Sequence, residues 1–237
     1  MPNRLSERIA SLEWEYLQQA LDEQGFAKIP PLLDKEQCEE IIRTYDQPTL
    51  FRSTIDMSRY RFGMGEYKYY QAPLPHILQQ LREGFYPELA KTANRWLEQL
   101  GHTAVYPASL GEFLDHCHRQ GQVRSTPLIL KYEAGGYNCL HQDLYGEVYF
   151  PFQVVFVLNQ REVDYSGGEF LLVEQRPRAQ SRGHVITLEQ GAGLVFPTTQ
   201  RPVSGTRGFY RTTLRHGVST ITSGTRYSLG IIFHDAK

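Results

Sequence analysis

His141 and Asp143 stand one residue apart in the run Leu-His-Gln-Asp. On a strand, residues i and i+2 point to the same face, so an imidazole and a carboxylate at this spacing can grip one cation. A third ligand from a distant strand would complete a facial triad of two histidines and a carboxylate, leaving three positions open for other ligands. His216 is the candidate, because it lies in a later β-rich run, Leu-Arg-His-Gly-Val-Ser-Thr. His184, also in a β-rich run after the pair, is its rival. The ordinary reading of an H-x-D pair is a hydrogen-bonded histidine at a strand end followed by an aspartate in a turn.

A second constellation bears on that choice. Arg226 lies ten residues after His216, and Ser228 lies two beyond it. A guanidinium and a hydroxyl on one strand face can hold a carboxylate by a bidentate pair plus a third hydrogen bond. No arginine stands at the same distance beyond His184. The alternative for Arg226 is a surface arginine.

These residues need strands to carry them. From Pro127 onward short β-rich runs recur between Gly, Pro, Ser and Asn turns: 128–132, 137–142, 151–159, 168–174, 184–189, 192–197, 215–221 and 226–234. Such spacing predicts a sandwich or barrel. Helices come first. Residues 5–24 read as one amphipathic helix with Leu5, Ile9, Leu12 and Tyr16 on one face, stopped by Gly25. Residues 26–29 read as a short strand, and Asp34 with Gln37 forms a capping-box pattern ahead of a helix that buries Cys38, Ile41 and Ile42. Further helices are expected at 76–100 and 108–120. The order predicts an α+β chain with a β-sandwich in the C-terminal half. One domain is expected over 1–237, with residues 1–125 mainly helical support and 126–237 the β-rich core that carries the candidate ligands.

The chain's 237 residues, 41% of them hydrophobic, suit one sizeable core. A formal charge of -1 provides no overall basic field, so charge must be read locally. Cys38, Cys117 and Cys139 are few and scattered, which fits a reducing compartment and no disulfide-linked partner. With no signal-peptide pattern and no membrane span, the expected location is cytoplasmic.

The order Tyr132, Gly135, H-x-D, distal histidine and R-x-S resembles the iron(II)/2-oxoglutarate dioxygenases with a double-stranded β-helix (jelly-roll) core. The stretch L-K-Y-E-A-G-G-Y-N-C-L-H-Q-D is similar to that of the AlkB-type alkylation-repair dioxygenases, and the full-length texture resembles a bacterial nucleic-acid oxygenase family. The resemblance implies iron(II), Fe(2+), on His141, Asp143 and His216. It implies 2-oxoglutarate as cosubstrate, its far carboxylate on Arg226, Ser228 and Tyr132, with O2 at the remaining site. It further implies oxidative demethylation of alkylated bases, released with formaldehyde. Two positions depart from the AlkB pattern. Leu130 replaces its Asn, and Ile232 stands where the second Arg of R-x5-R would fall. Both weaken the base-repair reading and leave the metal and cosubstrate reading intact.

Residues 51–71 interleave arginines and a lysine with aromatic rings, including Arg61, Tyr67, Lys68 and Tyr69. Rings that stack bases and cations that track phosphates suit single-stranded or flipped-out nucleic acid. Gly63 and Gly65 would let the segment move as a substrate lid. An ordinary loop packing its rings on the sandwich is the alternative. Residues 190–234 hold Arg201, Arg207, Arg211, Arg215 and Arg226 and no acid, so a basic rim beside the site is expected, with Arg215 next to His216 as a further cation. A solvated loop paired with acidic helices is the alternative there. Two rival functions remain: a hydroxylase of a protein side chain or small metabolite, and a non-catalytic iron or 2-oxoglutarate sensor. The run His116-Cys117-His118 is no shared site, because on a helix the three side chains diverge.

Overall fold

Alternation along the last strand, β14 (Ile221–Ile232), sorts two cores. In the computed structural model, which describes residues 4–144 and 146–237, Leu229 and Ile231 face a helical layer. Arg226, Ser228, Gly230 and Ile232 face the other way, into a cavity. This period of two is what a strand covered on both faces requires.

Among the described residues fourteen strands form two sheets. The larger is ordered β1(Ala27–Ile29), β11(Gly193–Pro197), β7(Phe152–Val157), β14, β5(Leu128–Glu133), β4(Glu66–Tyr70), β2(Phe51–Asp56), with β8(Tyr165–Gly167) paired to β14. The smaller is ordered β10(Arg182–Ile186), β9(Phe170–Gln175), β13(Gly208–Val218), β6(Tyr137–His141), β3(Gly63–Met64), with β12(Gln200–Gly205) paired to β13. All these pairings are antiparallel. One apolar cluster, with Val157, Phe170, Leu172 and Leu214, fills the space between the sheets. The other lies between the larger sheet and the helices α1(Arg4–Ala10), α2(Trp14–Gln24), α3(Lys35–Thr44), α4(His76–Gln99) and α5(Leu110–Arg119). This is the expected jelly roll with helices packed on it.

Three expectations need correction. The first helix is two. Its chain breaks at 11–13, where the Trp14 indole donates to the Ile9 carbonyl at 3.0 Å. The break rotates the second helix, so Leu17, Ala20 and Leu21 are buried while Tyr16 is 62% exposed. Second, residues 1–125 do more than support the core, since β1 extends one edge of the larger sheet and β2 and β4 extend the other. Third, residues 51–71 are not a free loop. β4 pairs β5 and β3 pairs β6, which ties the segment to both sheets. The turn between β2 and β4, with β3 inside it, brings Arg61 and Phe62 to the cavity between the sheets.

Gly25 ends α2 in the left-handed region, φ 81°, and the Asp34–Gln37 capping box is present. No helix among the described residues is long and apolar enough to cross a membrane.

Candidate metal centre

β6 and β13 run antiparallel with His141 directly opposite His216. Cross-strand neighbours sit about 5 Å apart, so the pairing itself brings the two imidazoles together; their ring centroids are 4.2 Å apart. β6 ends at His141, so Asp143 reaches the site from the following loop and not from the strand. Gln142 anchors that loop by donating its amide to the carbonyls of Thr199 and Leu214 at 3.0 and 2.9 Å. One ligand atom from each of His141, Asp143 and His216 lies within 4.8 Å of the others. Asp143 Oδ1 is 3.6 Å from His141 Nε2, and Oδ2 is 3.3 Å from His216 Nε2.

The surroundings orient these groups. His141 Nδ1 donates to the Cys139 carbonyl at 2.7 Å, which leaves the Nε2 lone pair aimed at Asp143. Phe170 stacks on His216 with 6° between planes, and Phe196 packs against both rings. Burial pulls the His141 imidazole below its ordinary pKa, and the neighbouring His216 adds to the effect. Burial alone would raise the Asp143 carboxyl. The hydrogen bond and charge of His216, the charge of His141 and the Gln153 amide outweigh it and hold the group below the usual carboxylate range. Two imidazoles and an ionised carboxylate converging on one point are the donor set of a facial triad, and it fits iron(II).

Across the cavity stands the larger sheet. Arg226 is opposite Tyr132 in the β14–β5 register, and Ser228 is opposite Leu130. Arg226 is 2% exposed, its guanidinium donates to Ser228 Oγ at 3.1 Å, and its Nε has no partner. Among the described residues no carboxylate pairs with it. Tyr132 is fully buried, its hydroxyl unpartnered and its phenol pushed by burial up to about 12. A buried, unpaired cation is costly unless an anion joins it. These orphaned donors fit one carboxylate of a small dianion such as 2-oxoglutarate.

Triad and arginine share one cavity of about 530 Å³. Its walls include Leu128, Leu130 and Ile232, so both departures from the AlkB pattern give apolar wall where that pattern has polar groups. Arg61, Tyr67 and Tyr69 also line it. Lys68 does not. It lies on the opposite face of β4, its ammonium 3.9 Å from the Tyr45 ring centre and bonded to the Tyr45 carbonyl. Arg215 is exposed on the outer face of β13, since the alternation that turns His216 inward turns its neighbour out. The expected basic rim is dispersed: Arg201 is buried against Glu174 and Arg211 contacts His102. His184 packs against Phe26, away from the triad. His118 binds Asp235 at 3.0 Å rather than joining its helical neighbours.

One residue escaped the sequence reading. Gln153 donates to Asp143 Oδ2 at 2.8 Å and lies 3.5 Å from His216 Nε2. Its only signal was a lone amide in an otherwise apolar strand, Phe-Gln-Val-Val-Phe-Val.

Comparison with known proteins gives the family. Residues 65–236 match the model of Oxygenase-NA, described as an oxygenase catalysing oxidative methylation of damaged DNA. An uncharacterized protein of Mycobacterium tuberculosis is 53% identical over 167 residues, covering 70% of this chain and 72% of its own length. Among solved structures, a Pseudomonas putida prolyl-4-hydroxylase superposes with a TM-score of 0.57 at 14% identity, over 94% of this chain and 99% of that one. A Burkholderia pseudomallei 2OG-Fe(II) oxygenase family oxidoreductase gives 0.56 at 15%, over 95% and 93%. At these identities the likeness speaks for the fold, which is that of the 2-oxoglutarate oxygenases. With nearly three quarters of its length matched by one model, the chain belongs to the Oxygenase-NA family of oxygenases, and so to the oxidoreductases.

Proposed function

We propose that this protein is an iron(II)- and 2-oxoglutarate-dependent oxygenase that oxidatively demethylates alkylated bases in nucleic acid. One observation carries the chemistry: a buried arginine with no counter-ion among the described residues shares a cavity with two histidines and an aspartate. Iron(II) with 2-oxoglutarate and O2 supplies the oxidising power to hydroxylate an unactivated C–H bond. The chain supplies placement. His141, Asp143 and His216 hold the metal on the smaller sheet. Arg226, Ser228 and Tyr132 take the far carboxylate of the cosubstrate on the larger one. The apolar walls at Leu128, Leu130 and Ile232 keep water from the reacting centre. Support for the substrate class comes from the family description and from Arg61, Tyr67 and Tyr69 at the cavity, two rings and a cation suited to a base and its phosphate.

The apolar walls equally suit an aliphatic side chain, which favours a protein or metabolite hydroxylase as the second reading. Incubation with iron(II), 2-oxoglutarate and oxygen separates the two. Succinate stimulated by methylated single-stranded DNA or RNA, with formaldehyde released, supports demethylation. Succinate with no demethylation on either polymer sinks the substrate assignment, and a gain of one oxygen on a peptide or metabolite would replace it. His141→Ala, Asp143→Ala, His216→Ala and Arg226→Ala should each lose succinate formation.

A further inference from the structure

Arg59, Tyr60, Arg61 and Phe62 alternate cation and ring in consecutive positions. Arg61 takes a left-handed backbone, φ 60°, which is uncommon for a residue with a side chain. Across that turn the flanking rings stack, with centroids 5.5 Å apart and 20° between planes. Both are exposed, Tyr60 by 56% and Phe62 by 47%. The other rings of the segment are engaged within the protein. Arg52 lies over Tyr69, Lys68 over Tyr45 and Phe51, and Tyr67 meets Tyr69 edge to face.

The pair leads to the cavity. Phe62 and Arg61 line it while Tyr60 stands outside, so the stack runs from solvent to the lip. Exposed Met64, Tyr137 and Leu140 continue the apolar surface along β3 and β6. Large apolar side chains exposed together mark a contact surface more than scattered ones do. Arg59 is paired with Asp56 at 3.5 Å, whereas Arg61 has no carboxylate partner among the described residues.

The backbone here is already committed. Phe62 N–H donates to Met57, Met57 N–H to Gly65, and the Phe62 carbonyl accepts from Cys139 N–H. A peptide adding itself as a strand would need those groups free. What remains for recognition is two ring faces and a guanidinium, which is the equipment of sequence-tolerant binding to single strands.

We propose that Tyr60 and Phe62 form a stacking step for the base adjoining the target nucleotide, with Arg61 set against the intervening phosphate. The inference rests on the nucleic-acid reading above and refines it. A base can lie on the step only when unpaired, so the protein takes a strand open at two consecutive nucleotides and disfavours an intact duplex.

The test is fluorescence anisotropy of a labelled single-stranded oligonucleotide of about eight nucleotides. The full chain is loaded with manganese(II) and 2-oxoglutarate so that nothing turns over. Phe62→Ala and Tyr60→Ala should each weaken binding by about tenfold or more, the loss of one stacked base. Phe62→Trp should retain it, which guards against a variant that merely misfolds. Arg61→Gln should lower the slope of log affinity against log salt by about one. A duplex of the same sequence should bind more weakly. If the wild type binds the single strand while both alanine variants match it, the stacking step is wrong and the nucleic-acid reading survives. If the wild type binds no oligonucleotide, that reading fails and the step fails with it. Duplex bound as tightly as single strand overturns the requirement for an open strand.

Discussion

Arg201 and Arg226 are both 2% exposed, and both come from the stretch 190–234 that carries five arginines and no acid. Their surroundings differ. Arg201 meets Glu174 at 3.0 Å, an acid equally buried, and also donates to the Asp22 carbonyl. Arg226 meets a serine hydroxyl and a cavity. Arg201 is thus a completed internal pair that ties α2 to the smaller sheet, while Arg226 has no carboxylate partner among the described residues and, on the function proposed above, would receive one from the cosubstrate. Arg82, bonded to Asp235 at 2.7 Å and to two backbone carbonyls, belongs with Arg201. Burial alone does not distinguish a structural cation from a binding one; the missing counter-ion does.

The sharpest way to break this contrast is Arg226→Met. Truncating one partner of a buried charge pair costs about 3–5 kcal/mol in binding, so 2-oxoglutarate affinity should fall by roughly a hundredfold to several thousandfold. Urea unfolding of the same variant should show equal or higher stability, since an uncompensated charge has gone. A fall of several kcal/mol instead would make Arg226 a structural residue. Glu174→Gln should do the opposite. It strands Arg201 and should lower unfolding stability by about 3 kcal/mol while leaving 2-oxoglutarate affinity of the folded protein unchanged.

The paired region also carries a pH signature. Burial pulls the His234 imidazole down to about 4, with the Arg82 charge adding to it. A folded pKa below the unfolded value of about 6.5 means the unfolded chain binds the proton first. Stability from the neutral ring is therefore full above about pH 6.5 and drains away as pH falls toward 4, by at most about 3 kcal/mol. Denaturation midpoints measured across that window should drop, and His234→Asn should flatten part of the drop. Midpoints that do not move over the window would mean that His234 is not held neutral in the folded chain.

Much of the site was legible because its parts are residue types at strand spacings. An H-x-D pair, a later histidine and R-x-S are short local patterns, and the eight β-rich runs read from sequence correspond to strands. What stayed hidden depends on partners far away in the chain. Glu66, Lys68 and Tyr70 alternate with Tyr67 and Tyr69, so one face mixes two charges with a ring and the other holds only two tyrosines, and the alternation carried no aliphatic signal. β12 was missed because Arg201, Pro202 and Ser204 do not look like a strand until Glu174 neutralises the arginine. Arg215 and Lys68 read as site residues by proximity in sequence, and strand alternation put both on the wrong face.

Gln153 gives the smallest predicted effect and the finest test of what completes a buried charge. Asp143 sits on the site side of the contrast drawn above, yet one of its oxygens already has an internal donor in the Gln153 amide. That bond fixes the carboxylate plane before any metal arrives, and it lies in a strand whose other members are all apolar. Gln153→Leu fits the strand and removes the donor, so apo stability should change little. Residues that orient a metal ligand typically contribute ten- to a hundredfold in metal affinity. Manganese(II) titration followed by electron paramagnetic resonance should therefore show a loss of that size, with His141 and His216 still in place. Unchanged affinity would mean that the backbone, through Gln142 and its two carbonyl anchors, holds Asp143 without help, and that the site's order is set by the loop and not by the opposite sheet.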